Sequence, residues 1–241
     1  MEKKHNTFNK GKGMIKHRVQ KLLSNYGYCS RRKAEDLIKE GRVAVNGKII
    51  SIGDQAAEKD KITVDDKIVG KEKKVYLIFH KPVGCVTALH DLQYKTVMSY
   101  ISIKERVFPV GRLDYNTSGL LLLTNDGDFA NRIMHPQHEI KKKYLVTLYD
   151  PIEKRAINNL QKGVELDDGK TRPVKVMVIE PQLLEISIHE GKNRIVRRMF
   201  TALGYKVKAL SRVAVGKLSL GDLKVGRHRY LTQKDIDQIF G

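Results

Sequence analysis

Val110-Gly111-Arg112-Leu113-Asp114-Tyr115-Asn116-Thr117-Ser118-Gly119-Leu120-Leu121-Leu122-Leu123-Thr124-Asn125-Asp126-Gly127 is the stretch whose reading governs the rest. Polar, turn-forming residues fill its first half, and four consecutive leucines fill the second. A short apolar run bounded by turn signals reads as a strand buried on both faces. Gly111, Gly119 and Gly127 let the backbone turn tightly around it. Asp114 therefore falls on a loop attached to a buried strand, where a carboxylate can be held still and partly desolvated. The same residues also fit a plainer role, in which Asp114 only caps a turn.

Working outward toward the C-terminus, Phe129, Ile133 and Met134 recur at helical spacing, with Asp126 at the start as a cap and Pro136 at the end. Lys141, Lys142 and Lys143 then run directly into an apolar strand headed by Tyr144. Glu153 to Lys162 reads as a helix closed by Gly163. Val174 to Val178 and Leu183 to Ile188 carry the two-residue period of half-buried strands. From Ile195 to Leu203 the apolar residues define an amphipathic helix, with Lys192, Arg194, Arg197 and Arg198 bunched at its beginning. Positive groups at the positive end of a helix repel one another unless an anion is near. Phosphates, a buried carboxylate, or both would supply the negative charge.

Toward the N-terminus, Val75 to Phe79 is a strand candidate that ends at the turn residues Pro82 and Gly84. Thr96 to Ile101 reads as a short helix. Residues 61–73 are dense in charge and read as a linker. Residues 14–60 read as a small module. Val19, Leu22 and Leu23 suit a short helix, and Ser30 caps a second one through Ile38. The pair Asn46-Gly47 between β-formers marks a hairpin. Arg31, Arg32 and Lys33 crowd the first turn of the second helix, where basic residues oppose the helix dipole. Phosphate contact accounts for such a cluster, and so does a solvated charged face. Residues 1–13 read as a disordered basic arm, either a phosphate contact or a solvated tail.

Global composition narrows the partners. Lys and Arg number 46 against 27 Asp and Glu, for a formal net charge of +19 over 241 residues. A chain this basic points to a polyanion, nucleic acid before an anionic membrane surface. No apolar run approaches the roughly 18 residues a membrane helix needs. Residues 1–16 lack the apolar core of a secretion signal. Cys29 and Cys85, without CxxC spacing, make neither a zinc site nor a disulfide framework, and reduced thiols suit a cytoplasmic protein. There is no P-loop, no GxGxxG and no Cys/His array at metal spacing. Metal, nucleotide-cofactor and serine-nucleophile chemistry are accordingly not expected.

Two resemblances add to this reading. The Cys-Ser-Arg-Arg-Lys-Ala-Glu segment from Cys29 to Glu35, with Gly41 to Lys48 after it, resembles an S4 domain, a small RNA-binding fold. Gly111 to Asp114 and Thr117 to Gly127 resemble the motif of the bacterial ribosomal pseudouridine synthases, in the group typified by RsuA, RluB, RluE and RluF. Lys81 to Gly84 resembles their first motif, Lys143 to Val146 their tyrosine segment, and Glu190 to Met199 their third motif. The version Thr117-Ser118-Gly119 is most similar to the large-subunit RluB type. One position departs, since Ile195 stands where that third motif usually carries Gln.

The resemblance implies an α+β chain: a small S4-like RNA-binding domain (14–60) joined through 61–73 to a mixed, largely antiparallel-sheet catalytic domain (74–241). It implies conversion of uridine to pseudouridine in ribosomal RNA, 23S first, without a cofactor. Asp114 would be the essential carboxylate, Tyr144 the residue stacked on the target uracil, and Arg197 the countercharge to Asp114. Expected RNA contacts are Arg31, Arg32, Lys33, Arg112, Lys141, Lys142, Lys143, Lys192, Arg194 and Arg198. The expected working form is a cytoplasmic monomer with no membrane partner. Other readings are a 16S synthase, a tRNA uridine as target, or a non-catalytic RNA-binding assembly factor. A glycosidase fits poorly, because such enzymes use a second carboxylate and a water.

Overall fold

A computed structural model describes residues 15–241, so the basic arm expected at 1–13 lies outside the described residues. The chain divides between Glu72 and Lys73 into two compact units.

The first unit packs two helices against short strands. Helix α1 (Val19–Asn25) and helix α2 (Arg31–Lys39) bury Val19, Leu22, Leu23, Ala34, Leu37 and Ile38 into one core with Val43, Ile62 and Val64. Ser30 caps α2, its Oγ accepting from the Lys33 N–H at 3.2 Å. Strand β1 (Lys16–Arg18) pairs antiparallel with β4 (Gln55–Ala57). A four-stranded sheet runs β3 (Lys48–Ile49), β2 (Val43–Val45), β5 (Ile62–Val64), β6 (Lys67–Ile68). Asn46 and Gly47 both take positive φ, 52° and 81°, the geometry of a tight hairpin turn.

Residues 61–73 are not the linker that their charge suggests. Ile62 and Val64 alternate with polar neighbours and face the core, and Asp65 and Asp66 turn the hairpin to β6 with φ of 49° and 60°. Counting charge over the whole segment hid a two-residue period. The chain stays packed on this unit as far as Glu72, whose N–H donates to the Tyr26 carbonyl.

The second unit is a mixed nine-stranded sheet. Its main path is β11 (Lys175–Glu180), β12 (Leu183–Ile188), β10 (Lys142–Leu148), β13 (Val207–Val215), β9 (Ser118–Thr124), β7 (Tyr76–Lys81), β15 (His228–Tyr230). Strand β8 (Phe108–Val110) pairs with β9, and β14 (Leu218–Ser219) with β13. Among these strands every pairing is antiparallel except β9 with β13. Helices α3 (Gly127–Met134), α4 (Lys154–Lys162), α5 (Ile195–Ala202) and α6 (Gln233–Phe240) accompany the sheet. Residues 97–100 form only a 3-10 turn.

The four leucines explain why β9 sits centrally. Leu120 and Leu122 pack with Phe129 and Ile133 on one face, while Leu121 and Leu123 pack with Leu77 and Phe79 on the other. Each is at most 1% exposed, so each contributes about 1.5–3 kcal/mol of burial. At its start Gly119 has φ 113°, and a Cβ there would lie 2.2 Å from the Arg212 carbonyl oxygen. Only glycine admits the close β9–β13 approach that leads the chain out of the Asp114 loop.

Candidate active site

Asp114 lies on the loop between β8 and β9, and that loop is fixed from several directions. Lys81, fully buried at the end of β7, donates from Nζ to the carbonyls of Pro82 (3.0 Å), Asp114 (3.1 Å) and Thr117 (3.0 Å). Burial pushes the Lys81 ammonium down, and the Cys85 and Asp114 charges pull it back. The Thr87 hydroxyl donates to the Leu113 carbonyl at 2.8 Å, and the Gly84 N–H donates to the Tyr115 carbonyl at 2.9 Å. The Arg197 guanidinium donates to the Asn116 carbonyl at 2.7 Å and to the Val207 carbonyl at 3.2 Å. The carboxylate thus projects from an over-determined turn instead of a loose loop.

The loop opens onto a cavity of about 400 Å³. Asp114, Arg112 and Thr117 line it from the loop, Lys142 and Tyr144 from β10, and Arg212 from β13. Glu190, Lys192 and Arg194 line it from the segment before α5. Tyr144 lies opposite Arg212 across the β10–β13 ladder, with its ring against two apolar clusters. One side of the cavity is therefore charged and the other aromatic and aliphatic. The Thr117 hydroxyl and the Arg197 Nε are buried without a hydrogen-bond partner among the described residues.

The countercharge differs from the expectation. Arg194, not Arg197, makes the recorded ion pair with Asp114, Nη1 to Oδ2 at 3.7 Å. Arg194 precedes α5 in the left-handed region, φ 47°, which turns its side chain toward the loop. Arg197 stands further into the helix and is committed to two backbone carbonyls. Burial and then the Arg194 charge push its guanidinium down, and the Asp114 charge pushes it up. Arg197 thus holds the loop at Asn116, and its charge interacts with that of Asp114 as well. Ile195 is 5% exposed and belongs to the core beside Val196 and Met199, so an apolar residue fits that position.

The expected RNA contacts fall into groups. Arg112, Lys142, Lys192 and Arg194 border the cavity, and Lys141 is exposed at the entry to β10. Arg31, Arg32 and Lys33 are exposed on α2, and Arg31 borders an open concavity with Lys16, His17, Arg18, Lys21 and Glu35. Arg198 is different. Its guanidinium pairs with Asp167 and with Asp168, which holds it above the ordinary arginine range. Lys192 approaches the same Asp168 at 3.7 Å, and Lys143 pairs with Glu185 at 3.1 Å. These carboxylates are remote in sequence, so the helix-start charge count could not reveal them. Lys81 and Arg212 were missed as well. Arg212 interrupts an inward-facing row between Leu210 and Ala214, and a charge at a buried strand position is the available signal.

The chain is similar to known proteins over most of its length. The RNA pseudouridylate synthase family model matches residues 75–202, and the S4 domain model matches residues 17–62. The chain is 41% identical over 231 residues to the Bacillus subtilis ribosomal large subunit pseudouridine synthase B, spanning 92% of this chain and 95% of that one. It is 35% identical over 226 residues to the Escherichia coli dual-specificity RNA pseudouridine synthase RluF, spanning 92% and 78%. A crystal structure of a pseudouridylate synthase superposes with a TM-score of 0.70 at 34% identity, spanning 92% of this chain and 99% of that one.

Proposed function

This chain belongs to the RNA pseudouridylate synthase family, and we propose that it isomerises one uridine of ribosomal RNA, in 23S RNA, with Asp114 as the essential carboxylate. It is a pseudouridine synthase of the RluB/RluF type, an isomerase acting on RNA. The observation that carries the finer reading is the cavity in which the immobilised Asp114 carboxylate, the Tyr144 ring and the Arg194 guanidinium meet.

In the reaction the bond from ribose C1′ to N1 of uracil breaks, the base rotates, and C1′ bonds to C5. The C5 proton leaves, N1 gains one, and composition is unchanged. Asp114 can attack the ribose, attack the base or remove a ribose proton, and each route needs an ionised carboxylate against the nucleotide. Arg194 pairs with the Asp114 carboxylate at 3.7 Å, while Lys81, Thr87 and Arg197 hold the loop that presents it. Tyr144 supplies the surface on which the flipped uracil stacks. Extruding a base from structured RNA costs about a few kcal/mol, which stacking and phosphate contacts offset. The S4 domain, through Arg31, Arg32 and Lys33, adds mostly electrostatic affinity.

The preference for 23S RNA is supported by the Thr117-Ser118-Gly119 sequence and by the large-subunit name of the Bacillus relative. Asp114→Asn is expected to lower pseudouridine formation in ribosomal RNA by about 10⁴-fold or more. Chemical mapping of pseudouridine on 16S and 23S RNA, side by side, is the measurement. Modification at the wild-type rate would remove Asp114 from the chemistry, and modification confined to 16S RNA would overturn the substrate.

A further inference from the structure

Besides the exposed Arg112, two cations withdrawn from solvent face the cavity without a counter-ion among the described residues. Arg212 is 6% exposed on β13, its Nε donating to the Leu120 carbonyl at 2.7 Å. A backbone carbonyl satisfies one donor of the guanidinium but leaves the charge unbalanced. On the neighbouring strand, Lys142 is half-buried in the same cavity, and its ammonium has no recorded hydrogen bond or ion pair. The Asp114 carboxylate is paired with Arg194. Burying two like charges side by side is costly, and nothing in the fold repays it. A ligand that brings negative charge does.

We propose that Lys142 and Arg212 form an anion subsite that receives a backbone phosphate flanking the flipped nucleotide. The proposal rests on the reading of this cavity as an RNA nucleotide site. A phosphodiester carries a permanent charge and acceptor oxygens, so it matches a fixed guanidinium beside an ammonium. A cavity of about 400 Å³ lies in the range that holds ligands of this kind. The subsite also accounts for Arg212 being charged where its strand neighbours Leu210 and Ala214 are apolar.

The charge state of Lys142 makes the subsite testable. Burial, and then the Arg212 charge, push its ammonium down to about 8. The other titratable groups on the cavity are Arg112 and Asp114 from the loop, Tyr144 on the same strand, and Glu190, Lys192 and Arg194 from the segment before α5. Helix α3 presents Ile133 and Met134 there, and β12 places Ile188 opposite Lys142, so neither adds charge at that point. The charge that lowers Lys142 is that of Arg212. An arriving anion therefore favours proton uptake by Lys142, and its affinity falls as pH rises through 8.

The experiment measures binding of uridine, and of uridine bearing a methyl phosphate on O5′ or on O3′, to the full chain between pH 7 and 9.5. The phosphodiester does not titrate in that range, and the uracil N3–H, which ionises toward its upper end, is common to uridine and both esters, so a pH dependence of the advantage belongs to the protein. At pH 7 one ester is expected to bind about tenfold tighter than uridine, with the advantage shrinking above pH 8. Lys142→Met is expected to remove most of the advantage and leave uridine binding unchanged. Lys142→Arg is expected to keep the advantage and abolish its decline with pH. Equal affinity of uridine and both esters in the wild type overturns the subsite, as does an advantage that survives Lys142→Met. Loss of uridine binding itself in Lys142→Met also overturns it, because Lys142 would then contact the base. Pseudouridine formation by the wild type is scored separately. If it occurs without a phosphate advantage, the subsite alone fails; if no RNA is modified, the functional reading fails.

Discussion

Lys142 and Lys81 are both buried lysines, and their surroundings separate their roles. Lys81 spends its three N–H donors on the Pro82 carbonyl and on two carbonyls of the Asp114 loop. Replacing it by Met leaves those carbonyls without a donor, at about 1–3 kcal/mol for each that stays buried. Lys81→Met should lower both thermal stability and the rate of pseudouridine formation, and an unchanged rate in a destabilised protein would show that the loop holds without it. Lys142 has no such partners, so its charge costs stability in the free protein. The sign follows from its depressed value, about 8 against the ordinary 10.5. Between those values the unfolded chain holds more protons than the folded one, so stability rises with pH there. Lys142→Met should therefore raise the melting temperature near pH 7, with the gain fading between about pH 8 and 10.5. A lower melting temperature at pH 7 would mean that the aliphatic stem of Lys142, not its charge, dominates. Of the site, Asp114 and Tyr144 were readable in the sequence because each sits at the edge of an obvious apolar strand. The separate contacts of Arg194 with the Asp114 carboxylate and of Arg197 with the Asn116 carbonyl were not, because they depend on a left-handed residue before α5.

Strand β9 was the most readable element, since four leucines bounded by turn residues admit few other structures. The Asn46–Gly47 hairpin turn and the Ser30 and Asp126 caps were readable for the same local reason. Strand β13 was not. It follows a cluster of basic residues, and Lys208 and Arg212 blur its alternation. Its parallel pairing with β9 joins residues more than ninety positions apart, which no local period encodes. Gly119 links the two elements, because the Arg212 backbone occupies the space a Cβ would need. Gly119→Ala combines that overlap with a positive φ, strains of about 1–3 kcal/mol each. The melting temperature of the catalytic unit should fall by roughly 4–24 °C. Arg212 would shift with the strand, so activity should fall further than stability does. A variant as stable as the wild type would mean that β9 and β13 can separate without cost.

At the level of the whole molecule the chain is two compact units, and both carry more basic than acidic residues. The division of labour follows from where the charges are exposed. In the first unit Arg31, Arg32 and Lys33 stand on one helix turn with no acidic residue among them. In the second unit several of the basic residues that the sequence offered as phosphate contacts are held by Asp167, Asp168 and Glu185. The first unit should then supply a large share of the counterion release on RNA binding, although it holds none of the groups that line the Asp114 cavity. Deleting residues 1–72 leaves a unit with its own sheet and core, so loss of binding need not mean loss of folding. Each phosphate contact removed lowers the slope of log affinity against log salt by about 0.7–0.9. Losing the three α2 contacts should therefore flatten the slope by roughly 2–3 and weaken binding at low salt far more than at high salt. Affinity measured over a salt series on the same RNA fragment, with circular dichroism to verify folding of the truncated chain, provides the comparison. An unchanged slope would place the electrostatic contacts in the second unit and require Arg198 and Lys192 to leave Asp168 when RNA binds.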